Sequence, residues 1–335
     1  EMLRSLVGSE MCIRDSRQSF KKRTVHTINL SGAYFTMKKL AFLFVLMSGI
    51  LWGCMGLFVR TLNAAGLQTM DIVFLRAVVT AVVMVVYLFL FNRNLLVIHL
   101  KDIWCFLGTG IASITFFNYC YFKCIEEASL SIAAVLLYTA PAIVMVLSYV
   151  LFREKLTGRK IISLIMTIGG CILVTGVFEE TQIINANGIL LGLGAGLGYA
   201  LYSIFSRYAL ERGYHSLTIT CYTFIVASLS TVFLTDGKMV ASVAFSSGAM
   251  FLFSLAFGIV CTVVPYLLYT QGLGYMDNSK ASIIASVEPV TATVLGVLVF
   301  HEKLSFTGVC GIVLVIGALA LCSYHASFAA QKGGI

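Results

Sequence analysis

The sequence predicts an all-α integral membrane protein in which ten transmembrane helices form two inverted five-helix repeats. Three observations carry this reading. Of the 335 residues, 59% are hydrophobic and only 11% charged, with a mean hydropathy of +0.95. Soluble domains run near about 25% charged, so this chain cannot build a water-facing surface. Ten apolar runs follow one another, most of them close to the roughly 20 residues that carry a helix across a bilayer. Finally, the stretch 131–156, SIAAVLLYTAPAIVMVLSYVLFREKL, returns at 279–304 as SKASIIASVEPVTATVLGVLVFHEKL, with nine identical positions at an offset of 148. A period that long is no solenoid unit; it marks a duplicated half.

The apolar runs fall near 40–59, 70–91, 103–122, 130–152, 160–178, 187–209, 216–234, 248–270, 279–300 and 305–323. Residues 1–36 differ from all of these. They are polar, carry six Lys/Arg, and read as an N-terminal extension that is disordered or artefactual, with Met37-Lys38-Lys39 as the expected start. The first repeat is expected over 37–180, the second over 185–324, and a short tail over 325–335. Connections are short; only 92–102 and 236–246 exceed about ten residues. That leaves no room for a catalytic or ligand-binding head outside the membrane.

Orientation follows from the basic residues. With the N-terminus cytoplasmic, twelve Lys/Arg fall inside and four (Arg60, Lys123, Lys238, Lys303) outside. Both termini are therefore expected in the cytoplasm, and Glu179-Glu180 after the fifth run agrees. The net charge of +8 is distributed by this topology, so no nucleic-acid partner is implied. Five helices per half is an odd number, so the second half enters from the opposite side. Inverted repeats of this kind give many transporters two related access states around one midplane site. The first helices of the halves also echo each other, Trp52-Gly53 leading to Arg60 as Tyr199-Ala200 leads to Arg207.

The ten cysteines are scattered without a CxxC. Cys120 and Cys124 lie one turn apart, but no histidine or carboxylate stands at matching spacing, so small apolar packing residues are expected rather than a metal site. The histidines of the apolar region, His99, His215, His301 and His325, lie at helix ends. None forms a hydrolytic arrangement with a carboxylate and a serine or cysteine, and no catalytic residue is assigned. Gly192-x-Gly194-x-Gly196-x-Gly198 sits inside an apolar run with no strand before it; close helix packing is expected rather than a nucleotide loop.

These residues resemble the drug/metabolite transporter superfamily, EamA type. The resemblance rests on two five-helix repeats each closing on a proline and a Glu-Lys-Leu turn, on Ser48–Gly53 (SGILWG), on Phe74-Leu75-Arg76 and on Val287-Glu288-Pro289-Val290. It covers Met37 to about residue 324. It implies a bundle with a central cavity that exports amino acids or other small metabolites, and no enzyme. In one departure, Ala140 of the first copy stands where the second has Glu288.

Charge inside a bilayer is costly and marks function by default. Only Arg76 and Glu288 sit clearly within runs. Glu288 lies nine residues into the ninth run, near the midplane at ~1.5 Å per residue. It precedes Pro289, whose missing N–H frees a carbonyl one turn back; Pro141 does the same in the first copy, and both are expected helix kinks. Glu288 is a candidate proton-coupling carboxylate, or else a glutamate that satisfies the broken backbone. Arg76 either snorkels outward or pairs inward. Candidate substrate-binding residues are Trp52, Arg76, Asn118, Tyr121, Tyr138, Tyr199, Tyr202, Tyr269 and Gln271, with Tyr266 in the same group.

The expected function is secondary transport of a small-molecule substrate by alternating access in the plasma (inner) membrane, by a monomer or weak homodimer within the lipid bilayer. With no nucleotide-binding motif and no cofactor implied, a proton or substrate gradient is the remaining driving force. A membrane-embedded transferase would need clustered acidic, histidine or cysteine residues at one face, and a non-transporting receptor would bind without flux.

Overall fold

The computed structural model describes residues 40–177, 185–303 and 305–323. The N-terminal extension, Glu179-Glu180 and the 325–335 tail lie outside the described residues. Among the described residues no strand occurs and nine helices are long and apolar enough to cross a membrane. They are α1 (Leu40–Ala64), α2 (Thr69–Phe91), α3 (Leu100–Glu127), α4 (Leu130–Phe152), α6 (Ala186–Glu211), α7 (Ser216–Leu234), α8 (Gly248–Leu273), α9 (Asn278–Phe300) and α10 (Phe306–Ser323). The remaining predicted span is α5 (Gly158–Val174), a helix of 17 residues, shorter than these nine. Large apolar side chains such as Leu90, Phe233 and Phe306 stand exposed on the outside, as a lipid-facing surface requires.

Helix starts follow the local sequence. Thr157 accepts from Lys160 N at the head of α5, Asn185 from Asn187 N at α6, and Ser247 from Met250 N at α8. Gln68 and Asp71 form a reciprocal capping box at α2, so each satisfies a backbone donor that the helix leaves open. The 236–246 connection is not open loop: it holds a short helix, Gly237–Ala244, capped by Asp236.

The two helices that carry the repeated proline, α4 and α9, are broken. α4 consists of Leu130–Leu137 and Ala140–Phe152, and α9 of Asn278–Ala285 and Glu288–Phe300. Pro141 and Pro289 stand in the first turn of each second half, where a missing N–H costs nothing and the fixed φ suits a helix start. Each second half has 13 residues and ends on a left-handed residue, Arg153 at φ 54 and His301 at φ 55. That conformation is uncommon outside glycine. It occurs here at two positions related by the repeat.

A second mirrored irregularity lies in α3 and α8. Gly108–Thr115 and Ile259–Val263 are wound as π-helix. In α8 the cause is local, since Pro265 cannot donate to the carbonyl one turn back, within the widened stretch. Discontinuous helices and π-segments are tolerated in a bilayer only where protein or a cavity covers the freed backbone. Here glycines cover it. A Cβ on Gly49 would stand 2.6 Å from the Ala285 carbonyl oxygen, and one on Gly53 would stand 2.7 Å from that of Glu288. On the other half, Gly196 packs on Thr139 and the Leu136 carbonyl. The first helix of each repeat thus lies directly against the break in the other repeat's fourth helix.

Candidate functional site

Trp52 is the centre of the buried core. Its ring lies 5.1 Å from Tyr266, 5.4 Å from Tyr269 and 6.2 Å from Tyr199, centroid to centroid. These rings, with Tyr202, Phe117, Ser113, Ile114 and Ser203, line a cavity that leaves about 10 Å³ for the centres of water molecules, room for about one water. Two side-chain bonds fix its wall: Tyr202 OH with Thr270 Oγ1 and Ser203 Oγ with Tyr269 OH, both 2.7 Å. Trp52 Nε1 is buried and has no hydrogen-bond partner among the described residues. Buried donors are nearly always paired, so this one is a candidate for a ligand's acceptor.

Opposite charges lie at the margins of the cage. Glu288 opens the second half of α9, where the exposed N–H groups of a helix start favour an anion. Its Oε2 accepts from Tyr199 OH at 3.4 Å. Arg76 is 3% exposed; it points inward, donating to Asn118 Oδ1 at 3.0 Å and to Met55 Sδ at 3.5 Å. Asn118 in turn donates to the Ile114 carbonyl at 2.7 Å, which ties the guanidinium to the cavity wall. Among the described residues Arg76 makes no ion pair within 4 Å.

The candidate residues from the sequence are thus distributed. Trp52, Tyr199, Tyr202 and Tyr269 line the cavity, as does Tyr266. Asn118, Arg76 and Glu288 adjoin it through hydrogen bonds. Tyr121 packs on Phe117 and Phe122, so it stands behind the wall, although its repeat mate Tyr269 lines it. Tyr138 ends the first half of α4 and packs against the central cluster. Gln271 accepts from Ser216 Oγ at 2.7 Å and does not line this cavity. Four wall residues escaped the sequence reading: Ser113, Ile114, Phe117 and Ser203. Ser203 lies one turn beyond Tyr199 and was within reach of a helical-face argument. Ser113 and Ile114 sit in the π-segment, whose altered period no α-helical count reproduces.

A polar cluster ties the end of α4 to the start of α9. Lys160 is 4% exposed and lies between Glu154 (3.5 Å) and Asp277 (3.0 Å). Burial pushes the Asp277 carboxyl up, but the hydrogen bond and charge of Lys160, with Lys280 and Arg207, outweigh it and hold the group below its ordinary range. The sequence reading used Lys160 only as one of the charges that set topology.

An all-helical chain with paired broken helices around an aromatic cavity, and counter-charges at that cavity's margins, belongs to the class of multi-pass membrane transporters. More closely, the chain belongs to the EamA-like transporter family, whose model matches residues 39–176 and 186–324. An uncharacterized transporter of Archaeoglobus fulgidus is 28% identical over 283 residues, covering 83% of this chain and 94% of that protein. The threonine/homoserine exporter RhtA of Escherichia coli is 24% identical over 216 residues, 64% of this chain and 68% of that protein. One solved structure shares the fold at a TM-score of 0.70, with 16% identity over 88% of this chain and 99% of its own. The protein is a transporter of a small molecule, embedded in lipid.

Proposed function

We propose that this transporter exports amino acids or related small zwitterionic metabolites across the plasma (inner) membrane by alternating access, with both termini cytoplasmic, as a monomer or weak homodimer. Proton entry through Glu288 drives it. The observation that carries the reading is the Glu288–Tyr199 hydrogen bond, which joins a carboxylate at a broken helix to the wall of the aromatic cavity. An intramembrane carboxylate beside a substrate cavity is suited to exchange a proton for cargo. Arg76, whose hydrogen bonds among the described residues go to neutral groups, suits a substrate carboxylate, and the aromatic faces around Trp52 suit an ammonium. The name of RhtA points to the same substrate class.

The test is uptake of radiolabelled threonine and other amino acids into inverted vesicles, with and without an imposed proton gradient. Gradient-driven uptake that Glu288→Gln loses is the expected outcome. Uptake unchanged in Glu288→Gln would return that residue to a structural role, and no flux of any amino acid would sink the substrate assignment.

A further inference from the structure

The two ends of the α4–α9 pair are not alike. At one end Glu154, two residues past α4, covers the N-terminus of α9. It accepts from Asn278 N at 2.7 Å, from Ser279 N at 3.3 Å and from Ser279 Oγ at 2.6 Å. Its side chain and that of Lys160 beside it are 8% and 5% exposed, and the half-helices Asn278–Ala285 and Ala140–Phe152 pack on each other there. At the other end, about 34 Å along α9 at ~1.5 Å per residue, the equivalent Glu302 pairs with Arg60 at 2.6 Å, both side chains about half exposed (49% and 55%). The corresponding half-helices, Leu130–Leu137 and Glu288–Phe300, lack that close packing.

Ser131 nevertheless stands to Glu302 as Ser279 stands to Glu154. Both pairs are among the nine positions identical at the offset of 148. The arginines complete the pattern. Arg60 holds Glu302, whereas its counterpart Arg207 pairs with Glu211 at 3.1 Å, donates to the Leu273 and Met276 carbonyls at 2.7 and 3.2 Å and leaves Glu154 to α9. A carboxylate on helix N–H groups and a hydroxyl makes strong, charge-assisted bonds. Breaking such a set is tolerable in a transport cycle only if an equivalent set forms, which an inverted repeat can supply.

We propose that Glu302 and Ser131 form the mirror-image latch in the opposite access state, as positioning residues of the transport cycle. Glu154 releases Ser279 and is taken up by Arg207; Glu302 leaves Arg60 and accepts from the N-terminal N–H groups of α4 and from the Ser131 hydroxyl. The pair Glu154–Ser279 and the pair Glu302–Ser131 are then never closed together. This rests on the alternating-access reading above.

The test uses the full chain in vesicles, oxidised with copper phenanthroline. Glu154→Cys/Ser279→Cys should cross-link in the state described here. Ser131→Cys/Glu302→Cys should also cross-link, its yield shifting at least severalfold with the sign of an imposed pH gradient or with added threonine, and opposite to the first pair. Each variant should transport more slowly than wild type because a latch is lost, and its disulfide should stop even that residual flux until reduced. Ser279→Cys/Glu302→Cys, at opposite ends, and the untreated native cysteines should give none. A first pair that cross-links beside a second pair that never does, in vesicles that still transport once reduced, would overturn the exchange. Reciprocal cross-linking of the two pairs in vesicles with no flux of any amino acid would instead sink the amino-acid assignment and leave the exchange standing.

Discussion

The indole N–H of Trp52 is the sharpest single-residue feature, because its solitude has a cost and a use. A buried donor without a partner costs about 1–3 kcal/mol, which packing against Tyr266, Tyr269 and Tyr199 must offset. Trp52→Phe keeps an aromatic ring and removes the orphan donor, so it should leave thermal stability in detergent unchanged or raised while weakening substrate binding by about tenfold in vesicle-uptake KM, the loss of one hydrogen bond. Equal KM would show that the N–H meets no substrate. Arg76→Lys makes the companion argument: it keeps the charge but loses the planar fork that reaches Asn118 and leaves donors over. Flux should fall at least tenfold, whereas a role limited to charge balance predicts little change. At this scale the sequence was informative wherever side-chain type alone carried the signal. Trp52, Tyr199, Tyr202 and Tyr269 stand out as polar-tipped aromatics in apolar runs, and they do meet at one cavity. It failed where position depends on winding, as for Ser113 and Ile114, and where two equivalent residues diverge, as for Tyr121 and Tyr269. A repeat in sequence does not require equal surroundings in one conformational state.

The decisive elements are the breaks in α4 and α9 and the glycine faces that cover them. Pro141 and Pro289 made the breaks readable in advance; the paired π-segments were not, since only one of them is followed by a proline. The glycine argument separates two neighbours on α1. A Cβ on Gly53 would lie 2.6 Å from Thr291 Cβ and 2.7 Å from the Glu288 carbonyl oxygen, whereas one on Gly56 would meet nothing within 4 Å. Backbone oxygen cannot swing aside as a long side chain does, so Gly53→Ala must push α1 away from the break and should destabilise by about 1–3 kcal/mol. Gly56→Ala should be neutral, or stabilising by up to ~1 kcal/mol through helix propensity. Thermal unfolding of the two variants in detergent checks the difference. Similar melting temperatures would mean that α1 and α9 are not held at this distance.

For the whole molecule, the duplication was visible in the sequence through the 148-residue offset, but the closed end was not. Both copies carry the same Ser, Pro and Glu-Lys-Leu positions, and a sequence symmetric in its latches cannot say which one is shut. The structure breaks the symmetry through residues present in one copy alone, Lys160 and Asp277. Asp277 then makes the closed end sensitive to acid. Burial raises its carboxyl, and Lys160 with Lys280 and Arg207 together lower it further than burial raises it, so the folded group titrates below the ordinary aspartate value of 3.8. A depressed carboxylate contributes stability above its unfolded value and loses it as pH falls through the folded one. The share of this end's stability that Asp277 supplies should therefore be full at neutral pH, decline once pH falls below the ordinary aspartate value, and be gone below the folded one. Amide hydrogen exchange at Asn278 and Ser279, corrected for intrinsic rate, reads this directly, since both N–H groups are held by Glu154. In Asp277→Asn, which removes the charge facing Lys160 and Lys280 while Glu154 remains, protection at those amides should already be reduced at neutral pH. Protection that Asp277→Asn leaves untouched would mean that Glu154 and Lys160 close this end without help from Asp277.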